Sequence, residues 1–373
     1  MLNLAVNGYT EKQVMDNLHA RNGSRGVVKF RYELLNKSDT KIGTLSIPYG
    51  NVSMDSLGEI KRTATFRVKE NEAQDVDWLS NRIRPVFCLQ MFDGKWIEWP
   101  LGVFLVSSPT RKDENRKIKR DIEAYDASLI LKEDRFTDRY RIAAGAKYTT
   151  AIKDILNSAG IWKMSIPDHF GTLSVDKEFE IATTKLQAVN QLLSEINYTS
   201  LWVDETGYFI SGAYQLPSTK EAEYEYRNND LSIIHPGATE ELDLFSVPNV
   251  WVRYVSNPDK TVSLRSVYTN GLSASPTSTV NRGRSIVDID TVDDIYDQAT
   301  LDAYTIRQAY NSSQVYGKFD FSTALMPHHS FYNCLFLAHT DFGISNKYME
   351  SSWTMPLQSD GAMIHSCRRV IQI

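Results

Sequence analysis

Besides the largely apolar strand-like run 86–91, two stretches of the first hundred residues, 28–34 and 63–69, alternate strictly between apolar and polar residues. This period of two is typical of antiparallel strands with one buried face and one solvated face. No helical period of comparable length lies between them, so this part of the chain is predicted to be all-β.

Two further strand-like runs predict a β-hairpin. Residues 102–107 and 118–125 are apolar or alternating, and the charged stretch 109–117 between them has the composition of a turn. Together with the three predicted strands, this hairpin predicts a compact antiparallel barrel over residues 26–125.

An N-terminal arm over residues 1–25 precedes this predicted barrel. Thr10 and Gln13 have the spacing of a capping box, which predicts a short helix that the polar run 21–26 ends. Two interpretations remain open, an arm that docks on a neighbouring molecule and a frayed tail.

After Asp126 the apolar period becomes helical. Residues 152–159 and 186–196 each carry one apolar face, and residues 201–213 have a hairpin pattern around a Thr-Gly turn. The candidate N-caps are Thr149 or Thr150 and Thr183 or Thr184. The sequence therefore predicts a helix-helix-hairpin α/β insertion over residues 126–213.

Strand patterns return in the last part of the chain. Residues 250–255 and 261–267 alternate, residues 270–285 are predicted to form a long exposed loop, and the chain from 319 onward is strand-like. A helix that extends to Tyr310 is predicted between them. Its candidate N-caps are Asp290 or Thr291, and its apolar stripe is Val292, Ile295, Ala299, Ala303, Ile306 and Tyr310.

These patterns place a second strand set in two separate segments. We expect a discontinuous second barrel over 214–262 and 317–373, with residues 263–316 forming a loop and helix insertion. The predicted fold class is α+β and mainly β, with α/β insertions between two antiparallel β-barrels.

Composition and charge exclude several classes of protein. Hydrophobic residues make up 42% and charged residues 23% of the chain, as in globular proteins. The formal net charge of −5 argues against stable nucleic acid binding, and no apolar run is long enough to insert into a membrane. Three widely spaced cysteines do not form a disulfide framework, which favours free thiols and assembly in a reducing cytoplasm.

Several histidines and cysteines are close enough in sequence to be tested as metal ligands. His328, His329, Cys334 and His339 form one group, and a second pair shares a strand face two residues apart. That pair is His365 and Cys367. The spacing of five within the first group does not bring its members together in one element, and one pair is only half of a site. We therefore expect no bound metal and no cofactor.

Catalytic motifs are not found either. No zincin H-E-x-x-H and no G-x-S-x-G occurs, and Cys88 lies inside a predicted strand rather than at the start of a helix. Paired carboxylates of a glycosidase cannot be recognised among so many acidic residues. The chain is expected to have no catalytic residues and not to be an enzyme.

A series of motifs resembles one known family over residues 26 to the end. It comprises W-x-x-W-P-L-G-V-F-L-V-x-S-P at 96–109, A-Y-D-x-x-x-x-L at 124–131, Y-R-I-x-x-G-x-x-Y at 140–148, I-L-x-x-A-G-I at 155–161, NQLLSEINYTSL at 190–201, Pro248-Asn249, N-R-G-R at 281–284 and M-x-H-x-x-R-R-V at 363–370. These motifs resemble the baseplate hub proteins of long-tailed phages infecting Gram-positive bacteria. The same family is described as the structural N-terminal part of tail-associated lysins and prophage tail endopeptidases.

The resemblance implies a fold and a role. It implies two barrels of tail-tube type in one subunit, and a homotrimeric baseplate hub in a virion tail or phage-derived particle, assembled in the cytoplasm of the host bacterium. The implied partners are the distal tail protein or tail tube ring, the tape measure protein, and the tip, spike or fibre proteins. Two alternatives stay open, a tail-associated peptidoglycan hydrolase and a carbohydrate-binding adhesin at the tail tip, the latter suggested by 41 aromatic residues (Tyr 19, Phe 15, Trp 7).

Two apolar runs bear on assembly. In residues 101–106 and 331–337, consecutive rather than alternating residues are apolar, so both faces of each strand are predicted to be buried. One face fills the barrel, and we expect a neighbouring domain or subunit to cover the other, including Leu105 and Leu335.

Overall fold

The computed structural model describes residues 1–21, 26–69, 76–114, 117–243, 245, 247–256, 263–292 and 294–373. Strands dominate these residues, and the helices are short except for one of 16 residues near the end of the chain. The predicted α+β, mainly β class is confirmed. None of the helices in the described part of the chain has the length and apolar character that a bilayer crossing needs.

The first strand set is antiparallel throughout. Its members are β1 (Val28–Leu35), β2 (Lys41–Leu45), β3 (Tyr49–Asp55), β4 (Arg62–Lys69), β5 (Arg82–Gln90), β6 (Trp96–Pro100), β7 (Phe104–Glu114) and β8 (Lys117–Tyr125). They lie in the order β3-β4-β8-β7-β5-β1-β2, and β6 pairs with β5. The alternation in residues 63–69 corresponds to alternating burial along β4, with Phe66 and Val68 in the core.

The predicted hairpin of this set is present, but its strands are longer than expected. β7 continues to Glu114 and β8 begins at Lys117, so most of the stretch assigned to a turn is paired backbone. Charged residues can occupy both faces of a strand pair that extends beyond the core. The connection itself, residues 115–116, lies outside the described residues.

The N-terminal arm packs on its own chain. Helix α1 (Glu11–Leu18) begins after Thr10, and the predicted capping box with Gln13 is confirmed. Leu4 and Val14 are buried in the core of the first strand set. The arm is therefore neither a frayed tail nor docked on a neighbour through these residues.

The second strand set contains the C-terminal strands. Its members are β14 (Tyr224–Arg227), β15 (Thr239–Leu242), β19 (Gly317–Thr323), β20 (Cys334–His339), β21 (Ile344–Pro356) and β22 (Met363–Arg369). They follow the order β15-β19-β22-β21, with β20 bound to β21 and β14 bound to β20 in parallel.

Both strand sets belong to one continuous sheet. β21 pairs with β3 from Ser352 opposite Asp55 to Pro356 opposite Asn51. The pairings of the described residues leave this sheet open, so they do not close either set into a barrel. The two ends of the chain are thus joined by backbone hydrogen bonds as well as by side-chain packing.

The α/β insertion has its own apolar core. Its elements are α2 (Ser128–Glu133), β9 (Tyr140–Ile142), α3 (Tyr148–Ser158), β10 (Met164–Ser165), β11 (Lys177–Phe179), α4 (Lys185–Glu195), β12 (Trp202–Val203) and β13 (Phe209–Ile210). Thr184 caps α4 as predicted, in a capping box with Gln187. The predicted cap of α3 is wrong, because that helix begins two or three residues earlier, behind Lys147, and uses no side-chain cap.

A separate three-stranded sheet lies between the two segments of the second set. β16 (Val250–Val255) pairs with β17 (Arg265–Thr269) on one side and in parallel with β18 (Val287–Val292) on the other, and α6 (Gln298–Ser313) packs on this sheet. The short helix α5 (Thr279–Arg282) precedes β18. The placement of residues 250–255 in the second barrel was therefore wrong.

Two local predictions in this region were also wrong. The predicted helix start at Asp290 or Thr291 is strand β18, whose V-D-I-D-T-V sequence has a period of two, and Asp297 caps α6 instead through the Thr300 amide at 2.8 Å. The predicted exposed loop is partly internal. Asn270 and Ser275 are buried and hydrogen-bond to each other at 2.9 Å.

Candidate functional site

A buried ion pair lies where three parts of the chain meet. Arg62 begins β4, Glu205 lies in the β12–β13 turn of the insertion, and Ser330 lies in the loop before β20. The Arg62 guanidinium pairs with Glu205 Oε1 at 2.5 Å and donates to the Leu101 carbonyl at 2.8 Å. The Ser330 hydroxyl donates to the same Glu205 oxygen at 2.6 Å.

Neighbouring groups complete this cluster, which we call the Arg62 junction (Arg62, Glu205, Ser330, Trp353). The Trp353 indole donates to the Ser330 carbonyl at 2.8 Å, and its ring faces the Arg62 guanidinium at 5.6 Å. Asp126 accepts the Arg62 backbone N–H at 2.9 Å, and desolvation by burial raises the pKa of this carboxyl. Because the charges are buried, they contribute favourably only while each keeps its partner.

Two of the candidate histidines come together with a carboxylate in the second strand set. His329 lies in the loop between β19 and β20, Glu350 on β21 and His365 on β22. Nδ1 of His329 lies 2.7 Å from Glu350 Oε2, and Nδ1 of His365 lies 2.7 Å from Glu350 Oε1. All three side chains are fully buried. We call these residues the histidine cluster.

A hydroxyl group lies within hydrogen-bonding distance of the second nitrogen of each ring. Nε2 of His329 lies 2.7 Å from the Tyr226 hydroxyl, and Nε2 of His365 lies 2.9 Å from Thr323 Oγ1. Burial lowers the pKa of His329 to about 3 and that of His365 to about 4, and it raises the pKa of Glu350. Desolvation thus favours the uncharged form of each group.

The remaining candidates stay outside the histidine cluster. His328 is buried, and within the described residues neither of its ring nitrogens has a hydrogen-bond partner. His339 contacts Asn228 at the end of β20. Cys334 and Cys367 are buried, and desolvation raises the pKa of both thiols. Desolvation also raises the pKa of Cys88, which lies inside β5 as predicted.

Sequence reasoning missed Glu350 and the convergence of the two histidines. The spacing of these residues along the chain gave no signal, because His329, Glu350 and His365 come from different elements. The only clue available was strand register, which places Glu350 beside Cys367 and Trp353 beside His365 across the β21–β22 pair.

The three-stranded sheet has one apolar face that points outward. Val267, Val252 and Ile289 lie side by side across the sheet, and Val267 and Ile289 are 50% and 61% exposed. Val287 and Tyr254 extend this row at 51% and 38% exposure. The opposite face, with Trp251, packs against α6. We call the first surface the outward sheet face.

The two apolar runs expected to contact a neighbour are covered by the chain itself. Leu335 is fully buried in the core of the second strand set, and Leu105 packs against the core of the insertion. The prediction that a neighbouring domain or subunit covers Leu335 is wrong, because Leu335 faces the core of its own strand set. For Leu105 a neighbouring domain, the insertion, provides the cover.

Comparison with solved structures identifies the architecture. The chain superposes on a tail protein from Neisseria meningitidis MC58 with a TM-score of 0.64 and 11% identity, covering 91% of this chain and 96% of that one. The chain has a phage tail protein fold. The 43 kDa tail protein of prophage MuSo2 from Shewanella oneidensis gives a TM-score of 0.64 at 10% identity, with 91% and 98% coverage.

A third solved tail protein has a similar fold. Prophage tail protein gp18 from Listeria monocytogenes EGD-e gives a TM-score of 0.57 at 12% identity, with 91% and 94% coverage. No family model and no curated protein sequence matches the chain. The tail protein fold is therefore established by structure, and the comparisons do not single out the lysin family of Gram-positive phages.

Proposed function

We propose that this chain is the structural baseplate hub of a phage tail or of a phage-derived particle. The observation that carries the proposal is the tail protein fold, shared over 91% of the chain with tail proteins that are themselves matched over 96% and 98% of their length. In this role the chain lies in the virion tail and contacts the distal tail protein or tube ring, the tape measure protein, and the tip, spike or fibre proteins.

The proposed mechanism is geometric. Each subunit contributes its two strand sets as two units of tail-tube type, and three subunits arranged around the tail axis present six such units. A threefold tip can then contact a sixfold tube without a change of fold. The supporting feature is the presence of one mainly antiparallel set at each end of the chain, held side by side by the β3–β21 pairing.

The proposed hub is a homotrimer. We expect its subunits to contact each other through the outward sheet face. Exposed β-branched residues on a sheet face are typical of surfaces that become covered in an assembly. Light scattering of the purified protein should give three times the chain mass of 42.5 kDa. Ile289→Lys should weaken this trimer without changing the thermal unfolding midpoint by more than about 2 °C, because the side chain is 61% exposed in the subunit.

Thr172→Lys is the matched control, because Thr172 is exposed on the insertion and the change also adds one positive charge. It should leave the trimer intact. A wild-type protein that remains a monomer at tens of micromolar concentration would remove the trimer from the proposal. A trimer that Ile289→Lys does not weaken would assign the interface to another surface.

The hub is proposed to have no catalytic activity. The three cysteines are buried with raised thiol pKa values, and both histidines of the histidine cluster are enclosed in the core, so none of them meets a substrate at the surface. The alternatives are a peptidoglycan hydrolase and a glycan-binding adhesin. We expect no clearing on a zymogram of Gram-positive or Gram-negative cell walls at protein concentrations where a lysozyme control clears fully. Clearing by the purified chain would replace the hub proposal with the hydrolase.

A further inference from the structure

The histidine cluster contains a contact between a ring-nitrogen lone pair and a carboxyl oxygen that needs a proton or a metal ion between the two atoms. Thr323 Oγ1 has one proton, and its hydroxyl donates to the Ala324 carbonyl at 2.8 Å. Thr323 therefore accepts a hydrogen bond from Nε2–H of His365, 2.9 Å away. A neutral imidazole protonated at Nε2 presents a lone pair at Nδ1. That lone pair faces an oxygen of Glu350 at 2.7 Å, so either a protonated Glu350 donates to it or a metal ion lies between the two atoms.

Within the described residues, the hydrogen-bond partners of the Glu350 carboxyl are the two histidines, and no lysine or arginine side chain reaches it. The species between His365 and Glu350 is therefore either a proton, carried by Glu350 or shared with His365, or a bound metal ion. A proton bridges one nitrogen and one oxygen, whereas a metal ion can be bound by all the converging donor atoms at once.

We propose that His329, Glu350 and His365 form a buried binding site for a divalent transition metal ion, with zinc as the expected occupant. Two imidazole nitrogens and one carboxylate oxygen make three donor atoms, one from each residue, and these atoms lie within 4.8 Å of one another. This is the nitrogen and oxygen donor set that zinc takes in proteins. The proposal does not depend on the hub role.

The surroundings of the rings match those of metal-bound histidines. In known sites the second ring nitrogen is held by a hydrogen-bonding partner that fixes the ring and its tautomer. Here Tyr226 and Thr323 occupy those two positions. Tetrahedral zinc places nitrogen and oxygen ligands roughly 3.4 Å apart, so each 2.7 Å contact lengthens by roughly 0.7 Å on binding.

Full burial determines how the site is loaded. Because all three ligands have no exposed side-chain surface, the ion enters while the chain folds and leaves only when it opens. The site is therefore structural: it would fix the loop before β20 to the β21–β22 pair, and no open position is presented to a substrate.

The test is the zinc content of protein produced in zinc-supplemented medium and dialysed against EDTA, measured by inductively coupled plasma mass spectrometry. Wild type should retain one zinc per chain. Glu350→Gln, which removes the anionic bridging ligand, should retain less than one tenth of that amount. His328→Gln replaces a buried histidine next to the site that is not a ligand, and it should retain zinc as wild type does.

A second variant keeps the test decisive if Glu350→Gln does not fold. Tyr226→Phe leaves all three ligands in place and removes only the hydroxyl beside His329. We therefore expect the affinity for zinc, measured by competition with a chelator, to fall about tenfold to a hundredfold. Production with Co²⁺ should give visible d–d absorption bands that Tyr226→Phe shifts. Wild type that holds no zinc and shows no cobalt bands overturns the proposal in favour of a proton, as does equal zinc retention in wild type and all variants.

Discussion

Replacing Glu205 with alanine is expected to lower the free energy of unfolding by about 3–5 kcal/mol. The side chains of Arg62 and Glu205 are 1% and 5% exposed, so the substitution leaves a guanidinium buried without its counter-charge. It also removes the acceptor of the Ser330 hydroxyl. Urea unfolding followed by intrinsic fluorescence measures the change, since Trp353 lies at the Arg62 junction.

The matched control is Glu178→Ala in the same insertion. Glu178 pairs with Arg139 at 2.9 Å, but the two side chains are 43% and 63% exposed, so removing this pair should change the unfolding free energy by less than about 1 kcal/mol. A double variant, Arg62→Met with Glu205→Leu, should recover part of the loss because no unpaired charge remains. Equal effects of Glu205→Ala and Glu178→Ala would show that the junction does not hold the three parts together.

Trp251→Ala should have an effect of similar size but confined to one region. Trp251 is fully buried between β16 and α6, and its indole donates to Ser312 Oγ at 2.8 Å. Truncation to alanine leaves a large cavity and an unpartnered hydroxyl acceptor, a loss of about 3–5 kcal/mol. Hydrogen exchange should show faster exchange of the β16 and α6 amides, with the strands of the first set unchanged.

Trp162→Ala serves as its control. Trp162 is 74% exposed, so its removal should change stability by less than about 0.5 kcal/mol. If Trp251→Ala instead accelerates exchange throughout the chain, the three-stranded sheet is not a separately cooperative region. If the two tryptophan variants behave alike, the packing of α6 on β16 contributes little.

Local patterns predicted those elements whose geometry depends on near neighbours in sequence. The alternation of residues 63–69, the capping box at Thr10 and the N-cap placed at Thr183 or Thr184 each correspond to an observed element, because a strand face or a helix start is specified within a few residues. The β12–β13 hairpin was predicted for the same reason. The tail protein architecture was predicted from the resemblance of the motifs to a known family, because no single pattern of apolar residues specifies it.

Pairing between distant segments could not be predicted in this way. An apolar strand such as β20 is the same in sequence whether a neighbouring subunit or its own chain covers it, and Leu335 turned out to be internal. The start of a helix was placed at Asp290 or Thr291, inside the segment Val287–Val292, although the period of two in this segment favoured a strand. The histidine cluster depends on the register of β21 and β22, which follows from the whole sheet rather than from either strand.

The pairing of β3 with β21 has a mechanical consequence. In an antiparallel pair the hydrogen bonds lie across the strand direction, so a force along the strands shears the whole ladder at once instead of opening it bond by bond. Five residue pairs share such a load here. The two strand sets therefore respond to tension along these strands as one stiff element.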